Sequence, residues 1–187
     1  MVYVHRKILP LILFAIVCST TVANEGSKQR VVPGHGQESV WDYPKPPKVE
    51  KTSKKVHVIY DGITIAETAR AIRILETGHP PVYYIPREDI RMEFLVATSQ
   101  SSTCEFKGTA TYYNLKGKKK ENDSAAWSYL NPSKGYEAIR DYIAFYPKFM
   151  DACFVNEERV RQEPGEYYGG WVTSEIVGPF AGELKSH

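Results

Sequence analysis

Val56-His57-Val58-Ile59-Tyr60-Asp61-Gly62-Ile63-Thr64-Ile65-Ala66 holds two β-branched runs on either side of an Asp-Gly pair. A two-residue hairpin turn requires positive φ, which Asp-Gly supplies readily, so the stretch predicts two antiparallel strands. The same texture continues downstream. Ala71-Ile72-Arg73-Ile74-Leu75 is β-branched but alternates poorly, and Val82-Tyr83-Tyr84-Ile85 follows a turn at Gly78-His79-Pro80-Pro81 and stops at Pro86. Arg87 to Ile90 suits a turn, Met92 to Val96 resumes an extended pattern, and Ala97 to Thr103 is a Ser/Thr-rich loop. Lys107 to Leu115 is strand-like, and a lysine-rich exposed turn precedes Ala125 to Tyr129. Pro132 to Arg140 is the single helix candidate, with Ser133 as its N-cap. Tyr142 to Tyr146, Phe149 to Val155 and Glu158 to Arg161 give further strands, the last two forming a hairpin about Asn156-Glu157. About nine short strands and one short helix predict a mainly β domain of two antiparallel sheets packed face to face.

The chain has 187 residues, 42% hydrophobic and 25% charged, as expected of one ordinary globular domain. Residues 1–23 carry a basic start at Arg6 and Lys7, an apolar run from Ile8 to Val17, and the small residues Thr21-Val22-Ala23. That is the pattern of a signal peptide, and the apolar run is too short for a membrane anchor. The predicted location is therefore secreted, or lumenal or periplasmic, with no membrane association after cleavage. The remainder carries 22 basic and 22 acidic residues. A neutral balance argues against nucleic acid as a partner, since phosphate binding needs clustered cations.

Residues 24–40 read as a flexible lead-in, 41–183 as a single β domain, and 184–187 as a tail. Trp41-Asp42-Tyr43-Pro44-Lys45-Pro46-Pro47 combines aromatics with rigid prolines, as a clasp across the domain or a docking peptide would. Once Cys18 is removed, Cys104 and Cys153 remain, an even number in an oxidising route. One disulfide is open to them, although spacing alone does not establish it. Without a Cys-x-x-Cys pair no metal site is expected, and no cofactor motif is present. Asn122-Asp123-Ser124 is a glycosylation acceptor in a eukaryotic host.

Several motifs occur in a fixed order: Trp41-x-Tyr-Pro-x-Pro-Pro47, Leu75-Glu76-Thr77 with His79 to Pro86, Cys104-x-x-Lys107-Gly108-x-Ala110, Ala126 to Tyr129, Ala144-Phe145-Tyr146, and Gly169 to Thr173 with Val177 to Phe180. In these the chain resembles the family called domain of unknown function 427, sometimes labelled nucleotidyltransferase-like. The likeness spans about residues 41–183. It departs at Glu105-Phe106, where an apolar or proline residue commonly precedes the aromatic, and in the signal peptide. The resemblance implies a fold similar to the β-tent proteins, in which two antiparallel sheets lean together and a ligand pocket is lined by aromatics. Many of those proteins are pinned by zinc on paired Cys-x-x-Cys motifs. This chain lacks them, so packing or a Cys104–Cys153 bond would have to serve. The Gly-Ser and Asp-x-Asp pattern of nucleotidyl transfer is also missing.

The aromatic set Tyr84, Tyr112, Trp127, Tyr129, Phe145, Tyr146 and Trp171 comprises the candidate ligand-binding residues, because flat rings stack planar or cationic groups. Core packing is the ordinary use of such rings, but Trp127 and Trp171 follow Ala125-Ala126 and Gly169-Gly170, small residues that let a ligand approach closely. Glu76 and His79 flank a turn and have the chemistry of an acid and a base, with Lys107 as an electrostatic partner. A structural ion pair uses the same residues. The expectation is an exported module that binds a small planar or cationic ligand, or a short peptide, in an aromatic pocket. The alternatives are a small hydrolase or lyase using Glu76 and His79, and an interaction protein docking through Trp41–Pro47. Whether the protein is an enzyme is left open by the residues.

Overall fold

A computed structural model describes residues 29–184. The signal-peptide reading on residues 1–23, Cys18 within it, and nearly all of the 184–187 tail lie outside the described residues. In chain order the strands are β1 (Glu38–Ser39), β2 (Lys48–Lys51), β3 (Val56–Tyr60), β4 (Ile63–Thr68), β5 (Ile72–Glu76), β6 (His79–Ile85), β7 (Leu95–Cys104) and β8 (Gly108–Lys116). They continue with β9 (Glu121–Ser128), β10 (Ile143–Phe145), β11 (Ala152–Val155), β12 (Glu158–Arg159), β13 (Arg161–Gln162), β14 (Trp171–Val172) and β15 (Ile176–Val177). The chain is mainly β, as its sequence predicts, with one short α-helix among the described residues, α1 (Ala181–Leu184).

Two antiparallel sheets dominate: seven strands in the order β2-β5-β6-β10-β9-β8-β7, and four in the order β12-β11-β3-β4. The β3–β4 turn has φ 52° at Asp61 and 74° at Gly62, the doubly positive geometry its sequence requires. Alternation along β3 turns Val56, Val58 and Tyr60 inward. They meet Tyr83, Ile85, Tyr113, Leu115, Ile143 and Phe145 from one face of the larger sheet, and these side chains share a single core. Each such side chain contributes about 1.5–3 kcal/mol by leaving water. The opposite face of the larger sheet carries a second cluster, Ile72, Ile74, Tyr84, Ala110, Trp127, Tyr129 and Ala144 with Tyr112 and Tyr146 at its margin.

β5 alternates poorly because both its faces are covered. Ile72 and Ile74 join the second cluster, while Leu75 packs with Val40, Tyr43, Val172, Ile176 and Phe180 in a third. Its buried Arg73 is bridged to Glu38 and Glu50 at 2.9 and 2.6 Å. Burial works against this guanidinium charge, and the two carboxylates outweigh it and hold its pKa above the ordinary arginine value.

Three local expectations change. The Ser/Thr-rich segment 97–103 is not a loop but most of β7, an edge strand paired only with β8 and exposed on both faces, so it has no apolar alternation to read. Pro132 to Arg140 is not a helix: Gly135 takes φ 94° and only Glu137–Ile139 forms a 3-10 turn. The lead-in is part of the fold from Glu38, where β1 pairs in parallel with β15. Trp41–Pro47 lies along the domain. The Trp41 indole donates to the Pro179 carbonyl at 2.7 Å, Thr77 Oγ1 donates to the Tyr43 carbonyl at 2.6 Å, and Tyr136 Oη donates to the Pro47 carbonyl at 2.8 Å.

Cys104 and Cys153 are free thiols. The bridge open to them is not formed, because Cys153 is buried in the first core and Cys104 packs against the second cluster on the other face of the larger sheet. Burial pushes the Cys153 thiol far up, away from reactivity.

Candidate functional site

The second face of the larger sheet is roofed in part by residues 163–170, leaving a cleft of about 230 Å³. Its floor follows from strand register. Tyr84, Ala144, Trp127 and Tyr112 are successive cross-strand partners on β6, β10, β9 and β8. The small Ala144 lets the rings on either side meet above it, and Trp127 Nε1 donates to Tyr84 Oη at 3.1 Å. Tyr146 lies 4.4 Å from Trp127 between ring centroids, and Tyr129 lies 6.3 Å from Tyr84. Burial raises the pKa of Tyr84, Tyr129 and Tyr146 well beyond the ordinary phenol range, so the floor is neutral.

One end of the cleft is charged. Ile74 pairs with Val82 and Glu76 with His79, so Pro80 and Pro81 together oppose Leu75. This two-against-one bulge accommodates residues that have no N–H for the ladder, and it also changes parity. Val82 and Tyr84 face the cleft, and strict alternation would send His79 to the other face. The extra residue brings it back beside Glu76. Lys107, buried on the β7–β8 turn, donates to Glu76 Oε2 at 3.0 Å. Its carbonyl accepts from Ser133 N at 3.0 Å, which fixes the turn.

The His79 imidazole meets a residue that no sequence pattern announced. Glu163, directly after β13, places Oε1 2.7 Å from His79 Nδ1. The Glu163 side chain is 1% exposed and His79 is 24% exposed. Gly170 N donates to Glu163 Oε2 at 3.2 Å. Burial raises the Glu163 pKa above the ordinary carboxylate value, although His79 and the Gly170 amide pull against it. Glu163 thus supplies the third partner that the Glu76–His79 reading lacked. The lone glutamate of Gln162-Glu163-Pro164-Gly165 lies 84 residues from His79, and only the β13–β14 pairing brings them together.

Gly169 and Gly170 have a role different from the one expected. A Cβ on Gly169 would stand 2.4 Å from Trp127 Cη2, and one on Gly170 would stand 2.4 Å from Glu163 Oε2 and 2.9 Å from the Pro80 carbonyl. They make room for the indole and the carboxylate rather than for a ligand. Tyr168 lies 4.8 Å from the His79 ring, and Tyr167 is exposed at the rim.

Of the candidate residues, Glu76, His79, Lys107, Tyr84, Tyr112, Trp127, Tyr129 and Tyr146 line this one cleft. Phe145 and Trp171 do not. Both are fully buried in the first core, and Trp171 Nε1 donates to the Phe145 carbonyl at 3.2 Å. Alternation explains Phe145, which points away while its neighbours Ala144 and Tyr146 join the cleft cluster. Asn122 lies within β9, and its side-chain oxygen accepts from Tyr60 Oη at 3.1 Å.

A model for the family described as Domain of unknown function (DUF427), labelled NTP_transf_9, matches residues 48–156. The chain belongs to this family. No curated protein matches it. The family match contains the aromatic floor, Glu76, His79 and Lys107, and ends before Glu163 and the 167–170 wall. Among the described residues, no group of three or more His, Cys, Asp or Glu side chains is placed to hold a metal ion.

Proposed function

We propose that the cleft binds a small planar molecule, with its ring against the aromatic floor and a polar substituent toward the Glu76–Lys107 and His79–Glu163 pairs, in a protein carried by its N-terminal segment into an exported compartment. The observation that carries this reading is the convergence of seven aromatic side chains, five of them forming the floor, and two ionisable pairs on one cleft of about 230 Å³. Drug-sized ligands occupy pockets of roughly 300–1,000 Å³. The smaller volume here favours a ligand of one or two rings over a peptide. The packed Trp41–Pro47 arm gives no support to docking through that segment.

Titration with para-nitrophenol, followed through backbone amide chemical shifts, tests the reading. The expected result is saturable shifts clustered at residues 76–84, 107–112, 127–129 and 163–170. Shifts scattered over the surface, or none at millimolar probe, would reject it.

The small hydrolase or lyase is the second reading. The specific observation in its favour is the buried carboxylate behind His79, since an acid–base imidazole needs an orienting partner.

A further inference from the structure

We propose that the cleft is a hydrolytic site in which His79 is the general base, positioned by Glu163, acting on water to cleave a small planar ester. This deepens the hydrolase reading and rests on the cleft binding a planar ring. It also assigns the roles differently from a Glu76–His79 acid–base pair.

Glu76 is engaged by the Lys107 ammonium at 3.0 Å, so it is a partner of a cation rather than a base in waiting. His79 is turned the other way. Its Nδ1 is held by Glu163, so a Nδ1–H donor leaves the lone pair on Nε2, which has no hydrogen-bond partner among the described residues. Fixing one nitrogen of an imidazole through a buried carboxylate sets the tautomer and stabilises the imidazolium that forms on proton uptake. Burying a carboxylate is costly unless it is paired, and folding alone does not require one there. The surrounding chain is shaped for it: the proline bulge turns His79 into the cleft, and Gly170 lacks the Cβ that would collide with the Glu163 carboxylate.

No Ser, Thr or Cys is among the residues lining the cleft, so no aliphatic hydroxyl or thiol is available to attack a carbonyl, and burial keeps the Tyr84, Tyr129 and Tyr146 phenols neutral. The polar end is also open to water, with the His79 and Glu76 side chains 24% and 35% exposed. Water is then the nucleophile at hand, whereas chemistry through a carbanion profits from water being excluded. In the step proposed, the water oxygen bonds to the ester carbonyl carbon as its proton passes to His79 Nε2. Lys107 stabilises the oxyanion. Collapse breaks the bond to the leaving oxygen, which receives the proton from Nε2, and the products are a carboxylic acid and a planar alcohol or phenol. No other reactant is needed.

The test is para-nitrophenyl acetate hydrolysis by the full chain, read as release of para-nitrophenol. Saturable turnover is expected, with kcat falling about 10²-fold or more in His79→Gln, the range of general acid–base catalysis. Glu163→Gln should lower kcat at least tenfold with KM within twofold, and Glu163→Asp should restore part of the loss. A merely structural glutamate would change both parameters and would not distinguish Asp from Gln. The groups around the imidazole are Glu163, Glu76, Lys107 and Tyr168; Glu163 meets its Nδ1 and the centroid of the Tyr168 ring lies 4.8 Å from its own. If a variant fails to fold, carbethoxylation of the unmodified sequence by diethyl pyrocarbonate replaces it. Modification of His79, mapped by mass spectrometry, should abolish turnover in step with its extent. Turnover unchanged in His79→Gln, or lost equally in the surface variant His57→Gln, would overturn the proposal. Cleft-localised para-nitrophenol shifts without ester hydrolysis would sink the hydrolytic step and leave the binding reading standing. Absence of both would remove the two together.

Discussion

Gly169 shows how little tolerance the cleft has at single positions. Its missing Cβ is the space occupied by the edge of the Trp127 indole, 2.4 Å from where the carbon would stand. An alanine there has to displace a ring that is also hydrogen-bonded to Tyr84 and packed on Tyr146. Overpacking of this kind costs about 1–3 kcal/mol. Gly169→Ala is therefore expected to lower the unfolding free energy measured in urea by that amount and to weaken para-nitrophenol binding. A variant of unchanged stability and affinity would mean the indole has somewhere else to go. The sequence told much about single residues on the floor and misled at two. Trp127 follows alanines and faces the cleft, whereas Trp171 follows glycines and is core. Small neighbours signal close approach without saying what approaches. Glu163 was not legible at all, because a carboxylate in a Pro-Gly turn looks like any solvated one until β13 and β14 pair.

At the scale of elements, the decisive device is the bulge in the β5–β6 hairpin. Two prolines oppose Leu75, and the bulge they form keeps His79, three residues before Val82, on the face that Val82 occupies. Replacing both by alanine keeps the residue count, so the register should persist at a cost of about 0.4–1 kcal/mol per proline from a more flexible unfolded chain. Deleting Pro81 removes the extra residue and the bulge together, which leaves His79 two residues from Val82, still opposite Glu76 and on the cleft face. The expected outcome is retention of para-nitrophenol-induced shifts and ester turnover both in Pro80→Ala/Pro81→Ala and in the deletion, with both variants folded by circular dichroism. Loss of turnover in a folded deletion variant would show that the bulge itself, and not the pairing of His79 with Glu76, sets the site. The strands themselves were largely readable, β3 and β4 most clearly, because one buried face imposes alternation. β7 was not, since an edge strand with two exposed faces carries no apolar period. The helix expected over 132–140 failed at Gly135, whose positive φ breaks the helical path.

Over the whole molecule, the abundance of tyrosine becomes a property of stability. The pKa values of Tyr43, Tyr60, Tyr83, Tyr84, Tyr129, Tyr136 and Tyr146 are all raised by burial, that of Tyr83 to about 12. In the unfolded chain these phenols begin to ionise near 10.0, while the folded protein keeps their protons. The folded state then binds more protons than the unfolded one, so stability falls as pH rises through this range. Each fully buried phenol steepens the loss by about 1.4 kcal/mol per pH unit. Denaturant unfolding at stepped alkaline pH should show a steep fall, with tyrosinate absorbance appearing together with unfolding rather than before it. Early absorbance from the folded protein would place the rings in contact with water.

The separation of His79 from Glu163 also has a consequence for biosynthesis. A ribosome releases the strands that carry the floor, the imidazole and Lys107 well before the strap bearing Glu163 and the glycine pair. Until β13 and β14 close, the growing chain has a floor without its wall and a histidine without its carboxylate. The site is thus completed only once the segment 163–170 has emerged, and any reactivity it has waits on that closure.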